Sequence, residues 1–584
     1  MKKTILAVAA VAAWSLMPGV WSLSAASPSS EMWKHNAPDD VKWMKVTFAG
    51  GFVYGCDSGI YGLDPATGNV AWKREDLKKI PEANIEELEG YPILLVAQNT
   101  GNISTQTHLV AVDLVSGETA WETEKAKGMI ADVVPLYSKD MVLLVTAGSG
   151  GRAKLDLLAV SMSTGAVKWE AGFEDKADMY KAAKSSNFFP KFDLRGHAKP
   201  TADNEAIYLA YAGLHKYDIN TGKLLWKSAF DVTEKTLART NASPLVSGNM
   251  VYSSAKGVVR AFDKNSGALL WSSADYGAGI AQMELVNGVL YGRMGGVFLN
   301  AAGGDYEKKT PIGVVALDIK TGQARWKYEG AKETITNMVV LPELSAVLIA
   351  DAKNLTGLSL DAEGNKVKEA FQVPLEFKMK SSGAGKAAKI GFGALRGGAL
   401  GVAKAASTSA PLDPPIALLP RGNDLIVVRG TQHAMGFDPK TKTIKWFEKA
   451  DPPGMSTFNK IATSAIFATM YLAETQRAAS TQFGTSANDD ANRERFKTAG
   501  QWESAVSKRF SKTNATGSYS YMLSDVKTSD GKGPGITGVN LDTGEADRFV
   551  LFGDREPEYV VDEIAGVVYR SHKSGKTISA TQIR

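Results

Sequence analysis

The residues able to do chemistry are few and scattered. The six histidines are His35, His108, His197, His215, His433 and His572. No pair has the His-Glu-x-x-His spacing that sets two imidazoles on one helical face around zinc. The single cysteine, Cys56, lies in VYGCDSG, so an intrachain disulfide and a thiolate metal cluster are both excluded. Its setting reads as that of a buried strand thiol rather than an electropositive, reactive one. There is no Gly-x-Ser-x-Gly elbow. Gly385-Lys386 has Lys380 where a phosphate loop needs its first Gly, and Ala387 where it needs Ser or Thr. Gly391 and Gly393 are followed by Arg396 where a dinucleotide fingerprint needs its third Gly. The carboxylates Asp64, Asp113, Asp218, Asp263, Asp318 and Asp438 recur at one position of a repeat, which makes them turn residues rather than acids or bases.

That repeat organises the chain. Its cleanest copy is VVALDIKTGQARW, from Val314 to Trp326. Alternating apolar residues form a strand with one buried face, Asp318 caps a tight turn, and Gly322 supplies positive φ at no steric cost. A second strand then returns and ends in a Trp that has to be buried. The same hairpin ends at Trp72, Trp121, Trp169, Trp226, Trp271 and Trp446, with worn copies near Asp361 and Asn540. From Trp72 to Trp326 the tryptophans recur every 45 to 57 residues, the length of a four-stranded propeller blade. A blade cannot bury both faces alone, so blades stack around a ring.

The composition is globular, with 44% hydrophobic and 22% charged residues and 57 Gly to supply turns. The formal charge of +5 is too weak to imply nucleic acid or an anionic membrane as the general partner. Residues 1–26 read as a signal peptide. Lys2-Lys3 is its charged start, ILAVAAVAAWSLM its apolar middle, and Ser24-Ala25-Ala26 its cleavage site. No cysteine stands there to accept lipid, and no later stretch is apolar for long enough to span a membrane. The mature chain, 27–584, is expected to be one propeller domain, periplasmic or secreted.

Two fragments at the ends are complementary. EMWKH (31–35) is a strand without a blade, and residues 559–581 are three strands without a fourth. We expect the N-terminal strand around Trp33 to complete the C-terminal blade and close the ring, which removes free sheet edges. Two stretches interrupt the repeat. Residues 377–415 form a Gly/Ala-rich loop whose basic arm carries Lys378, Lys380, Lys386, Lys389, Arg396 and Lys404 and no acid, a candidate surface for a partner or a membrane. Residues 455–512 have helical periodicity on both sides of a polar link.

The A-x-D-x-x-T-G-x-x-x-W hairpin, copied along 40–450 and 515–584, resembles the repeat of pyrroloquinoline quinone (PQQ)-type β-propellers. The resemblance implies an all-β fold of four-stranded blades, eight in the usual ring, although nine motifs and a closing fragment are present. It also implies that Trp72, Trp121, Trp169, Trp226, Trp271, Trp326 and Trp446 dock each blade on its neighbour. One branch resembled is the quinoprotein dehydrogenases, which oxidise alcohols or sugars with PQQ and calcium. Many of them carry an adjacent Cys-Cys pair beside the quinone, and this chain has none. The other branch is the propeller subunit of the outer-membrane β-barrel assembly machinery, a scaffold that binds partner proteins through loops. The reading is therefore an exported scaffold without cofactor or metal, binding envelope proteins. The alternatives are a PQQ-dependent dehydrogenase and a ligand-sensing propeller.

Overall fold

The structure is a computed structural model that describes residues 30–583, apart from 173–197, 378–412, nearly all of 451–518 and shorter loop segments. Each sequence hairpin forms the outer pair of strands of an antiparallel sheet, four-stranded in most cases, with a short fifth strand in blade 2, and consecutive sheets are blades of one ring. Blade 1 covers 43–74, blade 2 covers 85–127, blade 3 covers 129–172, blade 4 covers 201–228 and blade 5 covers 245–272. Blades 6, 7 and 8 cover 280–328, 339–374 and 417–449. Blade 9 shows three strands among the described residues, Tyr519–Thr528, Gly531–Asn540 and Ala546–Leu551. Blade 10 takes Pro557–Asp562, Val567–His572 and Thr577–Gln582 from the C-terminal end and Glu31–Asn36 from the N-terminal end.

The N-terminal strand therefore closes the ring, with Trp33 paired to Ala580 and His35 to Ile578. The ring has ten blades, not the eight of the usual ring. The reason is visible in the worn copies: the hairpins near Asp361 and Asn540 are the outer pairs of blades 7 and 9, each a separate sheet with its own seams. The expected helical insertion is not part of the described architecture. Of 455–512 only Thr498, Gln501 and Ser504 are described, and no complete α-helix occurs among the described residues. Residues 1–26 also lie outside the described residues.

The core is distributed among the seams. Ten apolar clusters lie between consecutive blades, including Trp72 with Leu94 and Val110 between blades 1 and 2, and Tyr569 with Phe52 and Tyr54 between blades 10 and 1. Each seam stacks one twisted sheet on the next, so no blade is stable apart from its neighbours.

The outer pair of strands carries a bulge in every repeat. In blade 6, Ala316 faces Trp326 but Leu317 faces Ala324, so Arg325 is the extra residue. The same shift occurs at Gly62/Leu63, Ala111/Val112, Ala261/Phe262 and Gly436/Phe437. It sets the Trp opposite a small residue: a Cβ on Gly62 would lie 2.2 Å from the Trp72 ring.

Candidate functional site

The repeated side chains come together at the seams. The carboxylate of Asp318 accepts from the backbone N–H of Lys320 and Thr321, while Gly322 closes the turn at φ 71°. Trp271 of the preceding blade lies flat on that turn: a Cβ on Gly322 would approach its ring to 2.3 Å. Trp271 Nε1 also donates to Ile319 O at 2.8 Å. Trp33, Trp72, Trp121, Trp169 and Trp226 repeat the arrangement, donating to Pro65, Leu114, Met162, Ile219 and Lys264, in each case the carbonyl just after the turn residue. Trp326 is buried, in a cluster that takes in Leu360, Ala362 and Val367.

The motif wears where the next turn changes. Phe371 stands in the Trp position of blade 7, and blade 8 presents Lys442 at φ 60° in place of the turn Gly, its Nζ 5.6 Å over the Phe371 ring. Trp446 covers Gly544, yet its enclosed Nε1 has no hydrogen-bond partner. In blade 9 the position is Arg548, which pairs with Gly538, stacks 3.5 Å over Tyr519 and donates to the Tyr521 hydroxyl at 2.7 Å. Blade 10 has no turn between its outer strands, because those strands come from opposite ends of the chain. A Trp at 548 would have no turn to dock on.

The two faces of the ring differ. On one face lie the capped turns and the turns between first and second strands, which bond to each other, as Leu114 N to Pro92 O and Ile219 N to Glu205 O. These connections are short in nearly every blade. The opposite face carries the central hairpins and the blade-to-blade connections, also bonded together, as Val41 N to Gly575 O. Here the strands lengthen. The central hairpin of blade 6 runs Val289–Leu299 and Tyr306–Asp318, and blades 2 and 9 also have extended hairpins. The connections holding 173–197 and 378–412 begin and end on this face. The segment 451–518 leaves from it and re-enters on the other face, where Thr498 donates to Asp113 of blade 2.

All six arm residues, Lys378, Lys380, Lys386, Lys389, Arg396 and Lys404, lie outside the described residues. Their flanks are described. Asp413 N donates to Phe377 O at 3.0 Å, so the excursion starts and ends at one hydrogen bond. Asp413 is buried, pairs with His433 Nδ1 at 2.8 Å and accepts from Gln432 N, and Phe377 stacks on the His433 ring at 5.0 Å. Sequence reading passed over this group, since Asp413 and His433 are brought together only by the fold.

The other described histidines are dispersed. His35 bonds the Tyr54 hydroxyl and His108 contacts Glu122, while His215 is buried in blade 4. No cluster of His, Cys, Asp and Glu able to hold a metal occurs among the described residues. Cys56 is buried, and burial pushes its thiol pKa up. Two arginines inside apolar strands were also passed over. Burial pushes Arg293 down to about 10, and Arg429 likewise, the latter opposed by Asp413. The signal that could have found them is a lone Arg in the runs VLYGRM and LIVVRG.

The fold and the repeat define a PQQ-like β-propeller. The family model described as "Outer membrane protein assembly factor BamB" matches residues 56–187 and 156–355, just over half of the chain, and the protein belongs to that family. Among curated proteins, outer membrane protein assembly factor BamB of Shewanella oneidensis is 22% identical over 195 residues, 31% of this chain and 46% of the relative. The match thus spans less than half of that relative's length. Among solved structures, BamB from Moraxella catarrhalis aligns over 70% of this chain and 97% of its own, at 15% identity and a TM-score of 0.34. A europium-containing methanol dehydrogenase aligns over 72% of this chain and 80% of its own, at 10% identity and a TM-score of 0.32.

Proposed function

We propose that this protein is a non-catalytic scaffold of the cell envelope, exported by residues 1–26, which binds partner proteins of an outer-membrane assembly complex. The observation that carries the reading is the unequal elaboration of the ring. The long hairpins and the described ends of the connections at 173–197 and 378–412 lie on one face, while the other keeps mostly short capped turns and receives Thr498 at Asp113, as expected of a scaffold that presents one face to a partner. Membership of the BamB family supports the same direction. Among the described residues no helix is long and apolar enough to cross a membrane. The seams lined by Trp serve the scaffold by docking one blade on the next, with Phe371 and Arg548 in that position in blades 7 and 9. The basic arm, Lys378 to Lys404, would add charge to the elaborated face, and the scaffold needs neither quinone nor calcium.

The test is to immobilise the mature chain and measure binding of a purified outer-membrane assembly complex, alongside a calorimetric titration with PQQ and calcium. Saturable binding of the complex, weakened by deletion of 378–404 with the melting temperature unchanged, is expected. Tight PQQ binding with dye-reducing activity and no complex bound would replace the scaffold with a dehydrogenase.

A further inference from the structure

The extended hairpin of blade 6 covers an arginine that has no partner among the described residues. Arg293 sits on the second strand of the blade, opposite Gln282 on the inner strand and Val314 on the third. It lies two residues beyond Tyr291, which packs in the seam between blades 6 and 7, so its side chain leaves the sheet toward the same seam. Only 9% of its surface is exposed. The enclosed Nε has no hydrogen-bond partner, and no carboxylate pairs with the guanidinium among the described residues.

The surroundings are shaped around that charge. Directly after Arg293 the strand bulges between Met294 and Gly296, with Gly295 at φ 63° and Gly296 at φ 125°. A Cβ on Gly296 would lie 3.6 Å from Arg293 Nη1 and 3.4 Å from Ile335 Cγ2, so bare backbone passes between the guanidinium and the connection to blade 7. Next to Ile335, Thr334 Oγ1 is likewise enclosed and without a partner. The extended hairpin is pinned over this connection by Lys308 Nζ to Glu333 Oε2 at 3.1 Å.

A buried guanidinium with no counter-charge is strongly destabilising, whereas a paired one is tolerated. Its planar fork matches the oxygens of a carboxylate or phosphate. A hydroxyl donor and a glycine-lined approach are what such an anion needs beside it. We propose that Arg293 and Thr334, with the Gly295–Gly296 bulge, form a binding site for a small anion bearing a carboxylate or phosphate group. The site lies under the blade 6 hairpin and is independent of the scaffold reading.

The test is calorimetric titration of the mature full chain with inorganic phosphate and, separately, with succinate, on wild type, Arg293→Met and Thr334→Val. Saturable binding of at least one anion by wild type is expected, at least tenfold weaker in Arg293→Met and several-fold weaker in Thr334→Val. Whichever anion binds identifies the chemistry. Without ligand, Arg293→Met should melt no lower than wild type, because it removes an uncompensated charge. If neither anion binds wild type, or Arg293→Met and Thr334→Val bind as tightly as wild type, the proposal is wrong. Should Arg293→Met fail to fold, Thr334→Val decides by the same criterion.

Discussion

At the residue scale, one contact is repeated around most of the ring. The indole of one blade lies on the turn glycine of the next and donates to the carbonyl just after the turn residue, so packing and a buried hydrogen bond are satisfied together. Gly222 shows why the glycine is required. It sits at φ 68°, and a Cβ there would lie 2.3 Å from the Trp169 ring. Gly222→Ala should cost about 1–3 kcal/mol from overpacking, with strain from the left-handed backbone in addition. Urea unfolding would show the midpoint falling, and an unchanged midpoint would mean the contact is slack. This residue pattern was legible in the sequence because a turn acid, a Gly and a Trp at fixed spacing have a local physical cause. The pairing of Asp413 with His433 was not, because it joins a blade-to-blade connection to a hairpin in the next blade. Nor did the sequence reveal that Arg548 replaces Trp: the reason lies in the missing turn of blade 10, which only ring closure defines.

At the element scale, the hairpin motif reports outer strand pairs faithfully and inner strands poorly. Thr201–Ala202, Leu245–Ser247 and Val339–Leu341 are short and carry no periodic signature, yet each is the inner strand of its blade. Blade number was expected to be eight and is ten. Each motif, worn or clean, marks one outer pair, and the fragment at 559–581 with Trp33 adds the tenth. The expectation of eight came from the usual ring, not from these residues. Closure itself depends on the strand Glu31–Asn36, whose Trp33 donates to Pro65 O and packs against Phe52 and Tyr569. Removing an aromatic of this burial costs about 3–5 kcal/mol. Trp33→Ala, or deletion of residues 27–40, should therefore lower the melting temperature by several degrees and raise protease sensitivity at both ends of the chain together. A melting temperature that does not move would contradict closure by this strand.

At the scale of the whole molecule, ten seams make a ring whose turns can be elaborated without disturbing the core. The seam contacts use the short-turn face, where the capped turns receive the tryptophans, and the opposite face is left to vary in length. On the scaffold reading that division gives specificity a place: recognition would reside in hairpins held by a rigid frame. The central claim is that the elaborated face binds the partner. The most direct measurement is hydrogen exchange of the mature chain, free and bound to the outer-membrane assembly complex. The account predicts slowed exchange in the extended hairpins, at 296–299 and 306–309 of blade 6 and 525–528 of blade 9, with the turns at 64–68 and 318–322 unchanged. Slowed exchange confined to those turns, or no change anywhere on a chain that is demonstrably bound, would contradict it.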